Sequence, residues 1–347
     1  MPLFSIYDHL LSKRYHLEAR YSERHHVLCD DGISLSLKRY RPKQRLHSRK
    51  PPVLCIPGLG ANAHNFEAPP EGGLAHYLSE QGYDVWIVDL RGTGLSTVTR
   101  HDWKSISFDL FVDTDLPAVI SYIQRLCGTQ KVQLVGHSMG GMCIYAYLSR
   151  FQSNPVDRCI TINSPLGFSS QWSFFPLLGR IAWIADFLPG LRVRSTMRRV
   201  SPLLRRSWEP LSEILAPRGS MDPALSRRLL YASAEDIPPG LMLQFRDWIS
   251  NDVFRTLSQA FDYRAALKGI NTPTLVLTGQ ADQIAPLDSV LRGLGILTQS
   301  KAVICGTDFG FSYDYGHVDT VLGRKAREEI FPKINRFLST GKAFSTE

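Results

Sequence analysis

The run Val132-Gln133-Leu134-Val135-Gly136-His137-Ser138-Met139-Gly140-Gly141 constrains this chain more than any other stretch. It joins a short apolar strand pattern to Gly-x-Ser-x-Gly and then to a helical pattern. A strand that turns at once into a helix holds the central serine in a strained backbone conformation, and side chains two positions to either side would collide. Glycine at 136 and 140 meets that demand. The turn lifts the Ser138 hydroxyl over the end of the sheet and leaves it at a helix N-terminus. There, unpaired amides and the positive end of the helix dipole favour developing negative charge.

A serine hydroxyl is a weak nucleophile at neutral pH, so this turn, which looks like a nucleophile elbow, requires a base, an orienting acid and an oxyanion hole. Candidates follow in the chain order Ser, Asp, His. Asp282 lies just beyond the apolar run Thr274-Leu275-Val276-Leu277-Thr278, at the carboxyl edge where parallel sheets place their active sites. His317, in Tyr315-Gly316-His317-Val318-Asp319, follows the next strand and precedes the last helix. His317 would take the Ser138 proton as the hydroxyl attacks a carbonyl, while Asp282 orients the imidazole and stabilises its cation. Asp308 and Asp319 are competing acids; the first follows its strand too directly, and the second is close enough to His317 to shape the loop instead. The oxyanion donors expected are the backbone N–H of Met139 and that of Leu59, in the turn Pro57-Gly58-Leu59-Gly60. Asp89 and Arg91 form a second charged pair after a strand, where the bland reading is structural.

The rest of the chain supplies a framework for these residues. His25 to Cys29, the turn Asp30-Asp31-Gly32 and Ile33 to Lys38 read as an antiparallel hairpin. From Val53 onward, apolar strands (53–56, 85–88, 132–135, 159–162, 274–278, 302–305) alternate with helical patterns (74–80, 108–126, 142–150, 324–338). Continuous apolar strands separated by helices predict an α/β fold, a mostly parallel sheet with helices on both faces. Residues 1–22 read as an amphipathic lead-in helix, with Phe4, Tyr7, Leu10 and Leu11 at helical spacing. Residues 23–165 and 268–347 form the core, and 166–267 a helical cap inserted before the last two strands.

The cap is rich in aromatics. Trp172, Phe175 and Trp183 are candidates for the wall of an acyl pocket, although the same residues could equally form the cap's own core. Residues 172–191 are apolar but are broken by Pro176, Arg180, Asp186, Pro189 and Gly190, which argues against a spanning helix of about 20 uncharged residues. The chain carries a net charge of +8. Between 180 and 228, ten arginines meet four acids, a local excess of six. Most of the charge therefore belongs to one surface. No nucleic-acid motif accompanies it, so nucleic acid is not an expected partner. A solvated face is the bland reading, and peripheral contact with an anionic membrane through the arginine-rich cap is the sharper one. Six cysteines at 29, 55, 127, 143, 159 and 305 lack metal-ligand spacing, and four of them (Cys29, Cys55, Cys159, Cys305) fall in runs that read as strands. Buried reduced thiols, no metal, no cofactor and a cytoplasmic location are the corresponding expectations.

At this point the sequence resembles the α/β-hydrolase superfamily, and within it the acid-lipase-like branch. The resemblance rests on Pro57-Gly58-Leu59-Gly60-Ala61-Asn62, on Gly82-Tyr83-Asp84-Val85-Trp86 followed by Arg91-Gly92-Thr93-Gly94, on Asp115 to Ile120, on the serine turn and on Gly316-His317-Val318-Asp319. The usual His-Gly before the oxyanion turn is here Pro57-Gly58. The resemblance implies the α/β-hydrolase fold and a serine esterase or lipase acting on a small-molecule ester or lipid with an apolar acyl group. Aspartate at 138 would have pointed to epoxide or haloalkane hydrolysis, and cysteine to polyester synthesis. Acyl transfer by the same triad, small-amide cleavage and a non-catalytic ligand-binding role remain alternatives.

Overall fold

The computed structural model describes residues 13–42, 50–69, 72–168, 190–201 and 213–342. Its centre is an eight-stranded sheet: β1 (Glu23–Leu28), β2 (Ser34–Tyr40), β3 (Val53–Ile56), β4 (Val85–Asp89), β5 (Val132–His137), β6 (Val156–Ile162), β7 (Thr274–Gly279) and β8 (Ser300–Cys305). The spatial order is β1-β2-β4-β3-β5-β6-β7-β8. β2 runs antiparallel to both β1 and β4, and every other pairing is parallel. The turn at Asp30-Asp31-Gly32 closes the β1–β2 hairpin, and Gly32 takes the left-handed conformation (φ +85°) that such a turn requires.

The continuous apolar strands are buried on both faces. Leu54 and Ile56 of β3 enter one hydrophobic cluster with Trp86, Val88, Val132 and Leu134, whereas Val53 and Cys55 enter the other with Val85, Ile87 and Val135. Two layers of helix cover these faces: α1 (Leu74–Glu80), α2 (Leu116–Cys127), α3 (Met139–Arg150) and, at the end of the chain, α7 (Phe331–Thr340). Between β6 and β7 the described part of the insertion contributes α4 (Val193–Val200), α5 (Pro223–Ser233) and α6 (Pro239–Asn251). Trp248 of α6 packs edge-on against Phe108 at 4.9 Å, and Leu241, Phe254 and Tyr263 join the same cluster as the core helices.

Several sequence expectations change. The helix expected over 108–126 is a short helix Phe108–Leu110, a π-helical turn Phe111–Asp115 and then α2. The wider turn aims Asp115 inward, where Arg91 donates to it from Nε at 2.8 Å and Nη2 at 2.6 Å. The closing helix expected over 324–338 is divided into Ala326–Glu329 and α7, because Pro332 has no N–H to continue a preceding helix and suits a first turn. Among the described residues of the lead-in segment, only Lys13–Tyr15 are helical. Beyond them no regular structure follows before β1, and Leu17 is buried between exposed His16 and Glu18. Cys29 lies in the hairpin turn just after β1, not within a strand. All six cysteines are free, and every one except Cys127 is buried.

Candidate active site

Ser138 sits at φ +53° and ψ −121°, between β5 and α3. A Cβ on Gly136 would lie 2.4 Å from the Gly140 carbonyl carbon, and one on Gly140 would lie 1.9 Å from the Ile56 oxygen. Only glycine fits at either place, which is the steric reason for the motif. Such backbone strain persists because β5 and β6 fix the approach to the turn: the Ser138 amide donates to Ile162 O at 2.7 Å.

The three residues expected from sequence are brought into one hydrogen-bonded chain. His317 Nε2 lies 2.9 Å from Ser138 Oγ, and His317 Nδ1 lies 2.8 Å from Asp282 Oδ2. With Nδ1–H donating to the carboxylate, Nε2 is left to accept the serine proton. The other Asp282 oxygen accepts the Ile284 and Ala285 amides, each at 2.8 Å, so the acid is held from both sides. His317 is 5% exposed and Asp282 5%, a setting in which charge on the imidazole would be stabilised by its partner more than by water.

The Pro57–Gly60 turn faces the serine: a Cβ on Gly58 would lie 3.2 Å from Ser138 Cβ. Gly58 N donates to Asn65 Oδ1 at 3.1 Å. The amides of Leu59 and Met139 have no hydrogen-bond acceptor among the described residues. Two such amides, one in the Pro57–Gly60 turn and one just after Ser138, are what an incoming oxyanion needs.

Other residues position the site and were not singled out from sequence. Asn163, just after β6, has φ +51°; its Nδ2 donates to Gly316 O (3.0 Å) and His317 O (2.6 Å), and its Oδ1 accepts Gly279 N (2.8 Å). One side chain thus ties the acid loop to the histidine loop. An asparagine immediately after a buried strand, tolerant of the left-handed region, was the available signal. His137 Nε2 lies 2.8 Å from the same His317 oxygen, and burial holds this ring's pKa down to about 3, so it stays neutral. The His317 amide donates to Leu215 O of the insertion at 2.9 Å.

The rival acids are placed elsewhere. Asp308 is exposed and accepts Gln280 Nε2 at 2.7 Å. Asp319 is buried and accepts Gly316 N at 2.7 Å, shaping the loop. Asp89 accepts the Ala63 and Leu95 amides at 2.8 and 3.0 Å, and Arg91 pairs with Asp115 and Asp31. Trp172, Phe175 and Trp183 lie outside the described residues. Among the described residues no three His, Cys, Asp or Glu side chains converge to hold a metal, and no helix is long and apolar enough to cross a membrane. A cavity of about 520 Å³ lined by Lys131, Asn154, Lys268 and Asn271 lies where β5, β6 and β7 begin, at the opposite end of the sheet from Ser138.

Comparison with known proteins gives three concordant findings. The model of the alpha/beta hydrolase fold family matches residues 51–305. Lipase member N of Homo sapiens is 36% identical, over 93% of this chain and 88% of its own length, and Lipase 3 of Drosophila melanogaster is 23% identical over 90% and 88%. Among solved structures, the esterase EaEST from Exiguobacterium antarcticum superposes with a TM-score of 0.62 at 17% identity, covering 91% of this chain and 99% of that one.

Proposed function

The chain belongs to the alpha/beta hydrolase fold family, and from that premise we propose that it is a serine carboxylester hydrolase of the lipase and esterase type, acting through an acyl-enzyme on Ser138. The observation that carries this reading is the Ser138–His317–Asp282 chain, at 2.9 and 2.8 Å, beneath a nucleophile held at positive φ. His317 Nε2 takes the hydroxyl proton as Ser138 Oγ bonds to the ester carbonyl carbon, and the carbonyl oxygen becomes an oxyanion facing the Leu59 and Met139 amides. Collapse breaks the bond to the alcohol oxygen, which leaves with the proton from His317. Water then repeats the sequence and frees the acid. The lipases among its relatives support an ester or lipid with an apolar acyl group as substrate.

A fluorophosphonate probe tests the reading. One label per folded chain, absent in Ser138→Ala and greatly weakened in His317→Ala, is expected. A folded, accessible protein that takes no label would refute it. A panel of chromogenic esters and aminoacyl amides, run with competing alcohol and amine acceptors, is expected to rank hydrolysis above acyl transfer and peptidase activity.

Peripheral contact with anionic lipid is part of the same reading. Arg192, Arg198 and Arg199 are exposed in and beside α4, within a segment, 190–201, that contains no acidic residue. Arg194 is committed to Glu235, and Arg198 lies over the Tyr231 ring at 5.7 Å. Arg205 and Arg206 lie outside the described residues. Six free thiols support a reducing, cytoplasmic compartment.

A further inference from the structure

The turn that carries the Leu59 amide is fastened to the insertion at its back. Gly60 O accepts Glu235 N at 2.8 Å, and Ala61 bridges Ala234 in antiparallel fashion. Asn62 Nδ2 donates both to Glu235 Oε1 at 2.6 Å and to Ala232 O at 2.9 Å. Glu235 is 2% exposed, and its second oxygen pairs with Arg194 Nη1 at 3.2 Å. Gly60 takes φ +63°, and a Cβ there would lie 3.3 Å from Glu235 O, so the two backbones meet closely. On the other side of the turn Gly58 N is held by Asn65. Between these anchors the Leu59 N–H has no acceptor among the described residues.

We propose that Asn62 and Glu235 are positioning residues: a buried clamp through which segment 232–237 of the insertion sets the direction of the Leu59 amide toward the reacting oxygen. The inference rests on the ester-hydrolase reading. A buried carboxylate is a costly way to make a structural contact, since an amide or alcohol acceptor would avoid its desolvation. It is suited to holding a donor at a short, directional, charge-assisted distance. The insertion also holds the His317 amide through Leu215, so both halves of the reaction geometry depend on its docking. Segment 232–237 must therefore stay seated while substrate enters.

An exchange of side chains tests this. Asn62→Asp opposes two carboxylates; with Glu235→Gln added, a donor–acceptor pair re-forms in reverse. In turnover of a soluble short-chain p-nitrophenyl ester, Asn62→Asp should lower kcat about 10²-fold with KM little changed, the scale expected for a misdirected oxyanion donor. The double variant should recover at least about tenfold of that loss. Affinity for a matched trifluoromethyl ketone, whose adduct carries an oxyanion, should fall and recover in parallel. Glu235→Gln alone keeps an acceptor for Asn62 but gives up the charge assistance and the Arg194 pair, and should lower kcat about three- to tenfold, short of the Asn62→Asp loss. Asn62→Asp with the parent's kcat and ketone affinity, or a double variant no better than the single, would overturn the clamp. The parent's own turnover, and its loss in Ser138→Ala, report separately on the ester-hydrolase reading.

Discussion

Two of the places where the described chain buries charge serve opposite ends. Beneath the β1–β2 hairpin, Arg91 directs Nε and Nη2 at Asp115 and Nη1 at Asp31. Arg91 and Asp115 have side chains 4% and 0% exposed, and their partners already occupy them. At the carboxyl edge, Asp282 is equally well held, but the chain of bonds from it ends on a hydroxyl at a strained turn with two free amides beside it. The first cluster is closed and can only stabilise. The second, on the proposed reading, leaves one proton transferable and one anion site open, which would be the difference between a structural and a reactive buried carboxylate.

The largest test of this contrast is Asp282→Asn, which permits the wrong tautomer of His317. It should lower kcat by about 10⁴ in steady-state ester turnover while the thermal midpoint stays near the parent's. Asp115→Asn should do the reverse. Leaving Arg91 without its main partner should cost about 3–5 kcal/mol in denaturant unfolding, with kcat per labelled active site unchanged. Asp319 sharpens the boundary between the two classes. Burial raises its pKa from 3.8 to about 6, so between those values the native state keeps a proton that the unfolded chain releases. Stability should therefore fall as pH rises through about 4 to 6, by up to about 3 kcal/mol, and Asp319→Asn should flatten that window in unfolding titrations. The smallest effect concerns exposed charge. Replacing Arg198, Arg199, Arg205 and Arg206 with glutamate should reduce hydrolysis of a lipid ester in anionic vesicles, at about 1 kcal/mol of lost attraction per arginine and less at high salt, and spare a soluble short-chain ester. Equal rates on vesicles would mark these arginines as a solvated face.

The serine turn, the strand rhythm and the Ser, Asp, His order were readable because each is a local demand. Glycine at 136 answers a clash with residue 140, four positions on, and apolar runs such as Val85 to Val88 answer burial on both faces. The same logic failed where the decision was not local. Helical periodicity over 108–126 contains no sign that Arg91, far away in sequence, would draw Asp115 inward through a π turn. His16 to Arg20 fit a helix by periodicity, yet the described helix ends at Tyr15, which stacks on Tyr231 at 5.3 Å.

Sequence alone determined which chemistry this chain can perform, since a nucleophile, its base and the glycines that admit them are residue types at fixed spacing. Tertiary structure alone decided how that chemistry is held. Asn163 between two loops, His137 under the His317 carbonyl, and Asn62 with Glu235 behind the Leu59 turn make contacts between residues separated by up to 180 positions. Their worth lies in distance and direction, which a side chain acquires only from the elements packed around it.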